Sequence, residues 1–194
     1  MYSELKETTS FLQSRGITNP EIGIVLGTGL GNLITEIEIE IEISYNTIPN
    51  FPIATVEFHF GKLIYGKIAG KQVLAMQGRY HYYEGHSIEQ VVFPIRIMKM
   101  LGVSKVLMSN AAGSVNLNMK KGELMLLDDH INLQPANPLR GPNLDDLGSR
   151  FPDMSAPYNK EMNDALKTIA KQNDITMHEG VYASVQGPNL ETRA

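Results

Sequence analysis

Hydrophobic and polar positions change their period several times along this chain, and each change marks an element. From Ser3 to about Ser14, Leu5, Phe11 and Leu12 sit among polar residues and the pattern stops at Gly16, predicting a surface helix with a glycine end. Ile22-Gly23-Ile24-Val25-Leu26 is a short apolar run suited to a buried strand, and it empties into Gly27-Thr28-Gly29-Leu30-Gly31. Residues 36–43 alternate Glu and Ile four times. A period of two predicts a strand with one buried and one wet face, its glutamates repelling one another unless water screens them. Lys62–Ile68 and Gln72–Met76 read as two further strands joined at Ala69-Gly70-Lys71.

Ser87 is a predicted N-cap for a helix from Ile88 to Leu101, closed by Gly102 and carrying Pro94, where a kink or break is expected. Val103–Met108 predicts another buried strand and runs into Ser109-Asn110-Ala111-Ala112-Gly113, with a further strand at Glu123–Leu127. Asp128 to Pro157 holds five prolines and reads as one long ordered loop or lid. A helix from Asn159 to about Gln172 places Met162, Leu166 and Ile169 on one face. A last strand, Ile175 to Val185, leads into Gly187-Pro188-Asn189-Leu190-Glu191. Strands alternating with helices predict an α/β fold, and 194 residues without a linker predict a single domain over 1–194.

Composition narrows the chemistry. A hydrophobic fraction of 42% and a charged fraction of 20% are globular values. A net charge of −4 argues against a nucleic-acid partner, and no apolar run approaches the ~18 residues of a membrane span. With no cysteine there is no disulfide, thiolate nucleophile or Cys-ligated metal. The charged N-terminal stretch is not a secretory signal, so a cytoplasmic location is expected.

Three apolar strands end in small-residue loops: GTGLG at 27–31, SNAAGS at 109–114 and QGPNLE at 186–191. Ligands of open α/β sheets sit at the carboxyl ends of strands, where glycines let backbone N–H groups approach an anion. Residues 27–31 also fit a plain tight turn, and they fail the dinucleotide fingerprint because Asn32 stands where a third glycine belongs. Gln77-Gly78-Arg79-Tyr80-His81-Tyr82-Tyr83-Glu84-Gly85 is the densest functional stretch. Arg79 offers a fork of donors matched to phosphate, with His81 on the same side of an extended chain and tyrosines suited to a sugar. Its bland alternative is an Arg79–Glu84 ion pair at a strand end. By residue type alone His59 reads as a buried, hydrogen-bonded histidine, and His86, His130 and His178 carry no supporting pattern. Asp128-Asp129-His130 makes no metal site, because neighbours in a strand point to opposite faces.

Seven motifs in fixed order, Gly27–Gly31, Ile48–Pro52, Gln77–Gly85, Ser109–Gly113, Asp129–Leu133, Asn137–Gly141 and Gly187–Thr192, resemble the trimeric purine nucleoside phosphorylases from about Ile22 onward. The resemblance implies a mixed, curved central sheet flanked by helices, and phosphate attack on C1′ of a purine nucleoside. It implies that Thr28, Arg79, His81 and the Ala111 backbone hold phosphate, with His59 gating that side. Tyr83 and Tyr182 would contact the ribose, and Phe151 would reach a neighbouring subunit's sugar pocket. Ala111, Ala112, Gly113 and Leu190 would line the purine, and Glu191 would accept from N1–H of a 6-oxopurine. Leu190 stands where an aromatic is common in the family. No metal or organic cofactor is implied, only phosphate as co-substrate and a homotrimer as the assembly. The family pattern continues past Glu-Thr with residues for N7, the 5′-hydroxyl and phosphate, so this sequence is expected to lack the C-terminal segment. Methylthioadenosine phosphorylase, a non-catalytic purine- or phosphate-binding homologue, and a nicotinamide-dependent oxidoreductase are the alternatives.

Overall fold

The computed structural model describes residues 1–27, 30–52 and 61–189. The chain forms two compact units, one of Met1–Ala111 with Pro138–Leu147, the other of Ala112–Asn137 with Gly148–Ala194.

The first unit is built on a five-stranded mixed sheet. Its strands are β1 (Ile22–Val25), β2 (Glu38–Ser44), β3 (Lys62–Ile68), β4 (Lys71–Gln77) and β5 (Lys105–Met108), in the order β2-β3-β4-β1-β5. β4, β1 and β5 run parallel, whereas β2-β3 and β3-β4 are antiparallel. A two-residue turn joins β3 to β4, with Ala69 and Gly70 both at positive φ and Ile68 paired to Lys71. Two consecutive positive φ values match the right-handed strand twist, as in the favoured hairpin turns.

Helices α1 (Tyr2–Ser14) and α2 (Ile88–Met100) share one core with the sheet. Leu5 and Leu12 of α1 and Phe93, Ile97 and Met98 of α2 pack with Val25, Leu63, Tyr65, Leu74 and Met76. The alternate strand positions, Ile24, Ile64, Val73 and Ala75, form a second cluster with Leu26 and Ile37, as a period of two requires. Ser87 caps α2 as expected: its hydroxyl accepts from Gln90 N–H at 3.3 Å, and the Gln90 side chain accepts from Ser87 N–H at 2.8 Å. The helix continues through Pro94.

Two expectations for this unit change. The glutamates of β2 face cations rather than water alone, with Glu42 2.7 Å from Lys62 and Glu40 3.2 Å from Lys67. A hydrogen bond from Gln72, then one from Lys67, hold Glu40 below the usual carboxylate range. Such exposed pairs relieve repulsion more than they stabilise. β5 is not buried: all four residues are exposed, Met108 by 63%. Among the described residues it ends the strand order, with β1 as its one neighbour, so it lacks the two-sided cover of a central strand.

The second unit holds a parallel pair, β6 (Leu124–Asn132) and β7 (Met177–Ser184), and α3 (Lys160–Gln172). β6 extends through Asp128-Asp129-His130, so the irregular stretch starts later than Asp128. A register shift between Leu127 and Asp129 lets the polar residues keep pairing up to Asn132 opposite Ser184. Asn159 caps α3, accepting from Met162 N–H at 2.9 Å. The inward face runs through Met162, Leu166 and buried Ala170 in steps of four, and Ile169 is 51% exposed instead of sharing it.

Candidate active site

Because β4, β1 and β5 are parallel, their carboxyl ends lie along one sheet edge, and the loops leaving them carry the candidate chemistry. Two of these loops touch. Gly27 N–H donates to Ser109 Oγ at 3.0 Å, and Ser109 Oγ donates to Val25 O at 3.4 Å. A Cβ on Gly27 would stand 2.5 Å from the Ser109 carbonyl oxygen, so the approach requires glycine.

At the third loop, Gly78 adopts φ +90° and turns the chain out of β4. Its carbonyl accepts from the Tyr45 hydroxyl at 2.8 Å. Tyr45 is packed with Phe51 and Tyr80, ring centroids 5.3 and 5.6 Å away, which fixes the base of the turn. Burial pushes the Tyr45 and Tyr80 hydroxyls above their usual range, and of the two only the Tyr45 hydroxyl has an acceptor among the described residues, the Gly78 carbonyl.

Beyond that pivot the chain presents Arg79, His81 and Tyr83. Arg79 Nη1 donates to the Ser109 carbonyl, spanning from the end of β4 to the end of β5. Arg79 Nε donates to His81 Nε2 at 3.2 Å. On the other ring nitrogen, His81 Nδ1 lies 3.2 Å from Glu84 Oε1, while Glu84 Oε2 accepts from His81 N–H at 3.0 Å. One assignment satisfies both contacts: Nδ1 carries the proton and Nε2 the lone pair. Three-residue spacing in a single 3-10 turn brings Glu84 back onto His81. Tyr83 stacks on His81 with centroids 4.9 Å apart and planes at 17°, and is 48% exposed. Ala111 is exposed, its carbonyl accepting from Asn110 Nδ2 at 3.0 Å.

The second unit carries Ala112, Gly113, Phe151 and Tyr182. Ala112 and Gly113 lie in an exposed loop. Phe151 is 86% exposed, with the Arg150 guanidinium 5.4 Å from its ring centre. Tyr182 pairs in register with His130, whose Nδ1 lies 3.1 Å from the Tyr158 hydroxyl. Burial, then the nearby Asp129 charge, raise the Tyr158 hydroxyl above its ordinary range. His178 Nε2 meets Glu123 at 2.7 Å.

The structure thus brings Arg79, His81 and Tyr83 together with Gly27 and Ser109, and sets Tyr182 opposite His130. Thr28, His59, Leu190 and Glu191 lie outside the described residues. Sequence reasoning missed the parts played by Ser109 and Glu84. The i, i+3 spacing of His81 and Glu84 was the available signal for the second, whereas the Gly27–Ser109 contact joins residues 82 apart in sequence. No group of three or more His, Asp or Glu able to hold a metal occurs among the described residues.

A mixed sheet carries an arginine and an imidazole in contact at the ends of its parallel strands, chemistry of the kind that can hold an anion. Residues 21–194 match the phosphorylase superfamily, and the chain belongs to that superfamily and to its purine nucleoside phosphorylases. It is 46% identical to purine nucleoside phosphorylase 1 of Bacillus subtilis, covering 100% of this chain and 72% of that protein. Its identity to purine nucleoside phosphorylase 1 of Geobacillus stearothermophilus is 48%, over 98% of this chain and 69% of the relative. Among solved structures, isoform 2 of purine nucleoside phosphorylase from Schistosoma mansoni, in complex with cytosine and ribose-1-phosphate, superposes with a TM-score of 0.92. The two are 43% identical over 98% of this chain and 69% of that one.

Proposed function

We propose that the protein catalyses the reversible phosphorolysis of purine (2′-deoxy)ribonucleosides, inosine and guanosine above all, to the free base and α-(deoxy)ribose-1-phosphate. The single observation that carries this reading is the Arg79–His81–Ser109 arrangement at the strand ends, in a chain whose relatives bear the name of that reaction. A phosphate oxygen attacks C1′ and forms the new C–O bond. The C1′–N9 bond breaks, and its electron pair leaves with the purine, which then takes up a proton. Between the two, the sugar passes through an oxocarbenium-like state, so the enzyme must hold an anion under C1′ and receive charge on the base.

In this reading Arg79 and His81 bind phosphate together with Thr28, His59 and the Ala111 backbone. Tyr83, already stacked on His81, meets the ribose, as does Tyr182. Ala112, Gly113 and Leu190 line the purine. Glu191 accepts the N1–H of a 6-oxopurine, a donor that adenine lacks, which sets the preference between bases. Phosphate is the co-substrate and no metal or organic cofactor takes part. Phe151, an exposed aromatic beside Arg150, suits insertion into the sugar pocket of a second copy, and with the resemblance to the trimeric purine nucleoside phosphorylases it supports a homotrimeric assembly. Among the described residues no helix is long and apolar enough to cross a membrane, which is compatible with a cytoplasmic role in purine salvage.

Parallel assays with inosine and with 5′-methylthioadenosine test the substrate class. Base release from inosine alone is the expected outcome. Preferential release from the methylthio substrate would move the assignment to methylthioadenosine phosphorylase.

A further inference from the structure

Behind the Arg79–His81 pair lies a residue that the reaction above does not use. His86 follows the turn that holds Glu84, is 7% exposed, and stands edge-on to Tyr80 with centroids 5.2 Å apart. Its Nε2 is buried without a hydrogen-bond partner, and so is the hydroxyl of Tyr80. An unpaired buried polar atom costs about 1–3 kcal/mol, so a histidine kept in such a place calls for a reason.

Glu84 supplies it. Its Oε2 lies 3.9 Å from His86 Nε2, while its Oε1 faces His81 Nδ1 at 3.2 Å. One carboxylate therefore stands between two imidazoles, one buried and one at the candidate site. The 3.9 Å gap is too long for a hydrogen bond, yet a buried imidazole N–H this near a carboxylate still attracts it where the local dielectric is low. The same Oε2 accepts from His81 N–H at 3.0 Å, so the backbone of His81 and the ring of His86 act on one oxygen while the other faces His81 Nδ1.

We infer that His86 is a positioning residue for the phosphate site: with its proton on Nε2, it holds the Glu84 carboxylate onto His81 Nδ1 from behind, so that His81 Nε2 keeps accepting from Arg79 Nε and holds the guanidinium in place for the anion. The inference rests on the reading of Arg79 and His81 as phosphate ligands. His86 itself touches no substrate.

Two replacements separate positioning from packing. His86→Phe keeps a ring against Tyr80 and removes the donor, and trading an unpartnered buried polar edge for an apolar one leaves stability level or raised. His86→Gln keeps an N–H on a side chain of comparable reach. The purified full chain and both variants are titrated calorimetrically with inorganic phosphate, with thermal unfolding followed in parallel. The expected result is a Kd about three- to tenfold weaker for His86→Phe at no lower Tm, with His86→Gln restored toward the wild type. A Kd for His86→Phe within about twofold of wild type overturns the role of His86 and leaves the phosphate reading standing. A loss that follows a fall in Tm and is not restored by His86→Gln marks packing alone and overturns it equally. A wild-type protein that binds no phosphate overturns the underlying reading, and this inference with it.

Discussion

Arg79 Nε donates to His81 Nε2 across 3.2 Å, so the imidazole offers a lone pair, not a proton, toward the guanidinium. Glu84 accepts from the N–H of the opposite nitrogen, and the ring is held at both ends. Positioned cation and oriented imidazole are the elements that an anion site needs, because each bond to a charged group is worth about 1.5–3 kcal/mol and depends steeply on geometry.

Arg79→Ala removes the fork that bridges the ends of β4 and β5. The phosphate KM is expected to rise by about ten- to a hundredfold with a smaller change in the nucleoside KM, measured by steady-state phosphorolysis of inosine. An unchanged phosphate KM would remove Arg79 from its assigned role.

Gly27→Ala tests the contact between two loops. Its new methyl group would meet the backbone of Ser109 at 2.5 Å, and backbone cannot swing away as a side chain can. Unfolding in denaturant is expected to show a loss of about 1–3 kcal/mol, with weaker phosphate binding because Ser109 carries the carbonyl that Arg79 grips. Wild-type stability and phosphate affinity in this variant would show that the two loops are not held as described.

Glu191→Gln separates the two halves of the reaction. Turnover of inosine is expected to fall sharply while phosphate affinity stays near wild type, since only the purine loses its acceptor. Equal losses in both quantities would sink that division of labour.

In the second unit, Glu123 is held below the ordinary glutamate range first by a hydrogen bond from Lys120 N–H and then by His178. A carboxylate favoured by the folded state stabilises it above the unfolded pKa of about 4.3, and that contribution is lost as pH falls through the lower folded value. An NMR titration of the Glu123 carboxyl carbon should give a midpoint below that of free glutamate. His178→Asn should raise this midpoint only in part, because the Lys120 bond remains. A midpoint at the free value in the unaltered chain would contradict the ascribed contacts.

What could be read from the sequence was local. Ser87 as a helix cap, the turn at Ala69-Gly70-Lys71 and the apolar run at Ile22–Leu26 each carry their instructions within a few residues, and a capped helix, a hairpin turn and a strand stand there. Contacts between distant segments were not legible. Glu42 meets Lys62 on the neighbouring strand, and β5 looks like a core strand by composition although its place at the end of the strand order leaves it exposed. The site divides the same way. Arg79 and His81 announce themselves by residue type and spacing, whereas Ser109 earns its part only once β1 and β5 lie side by side, and the orphaned Nε2 of His86 is visible only when burial is known.

The most direct test of the account is the release of hypoxanthine from inosine by the purified protein, with and without inorganic phosphate, with α-ribose-1-phosphate measured alongside. Release that requires phosphate and yields one ribose-1-phosphate per base is the predicted result. Base release that proceeds without phosphate, or no release in its presence, would contradict it.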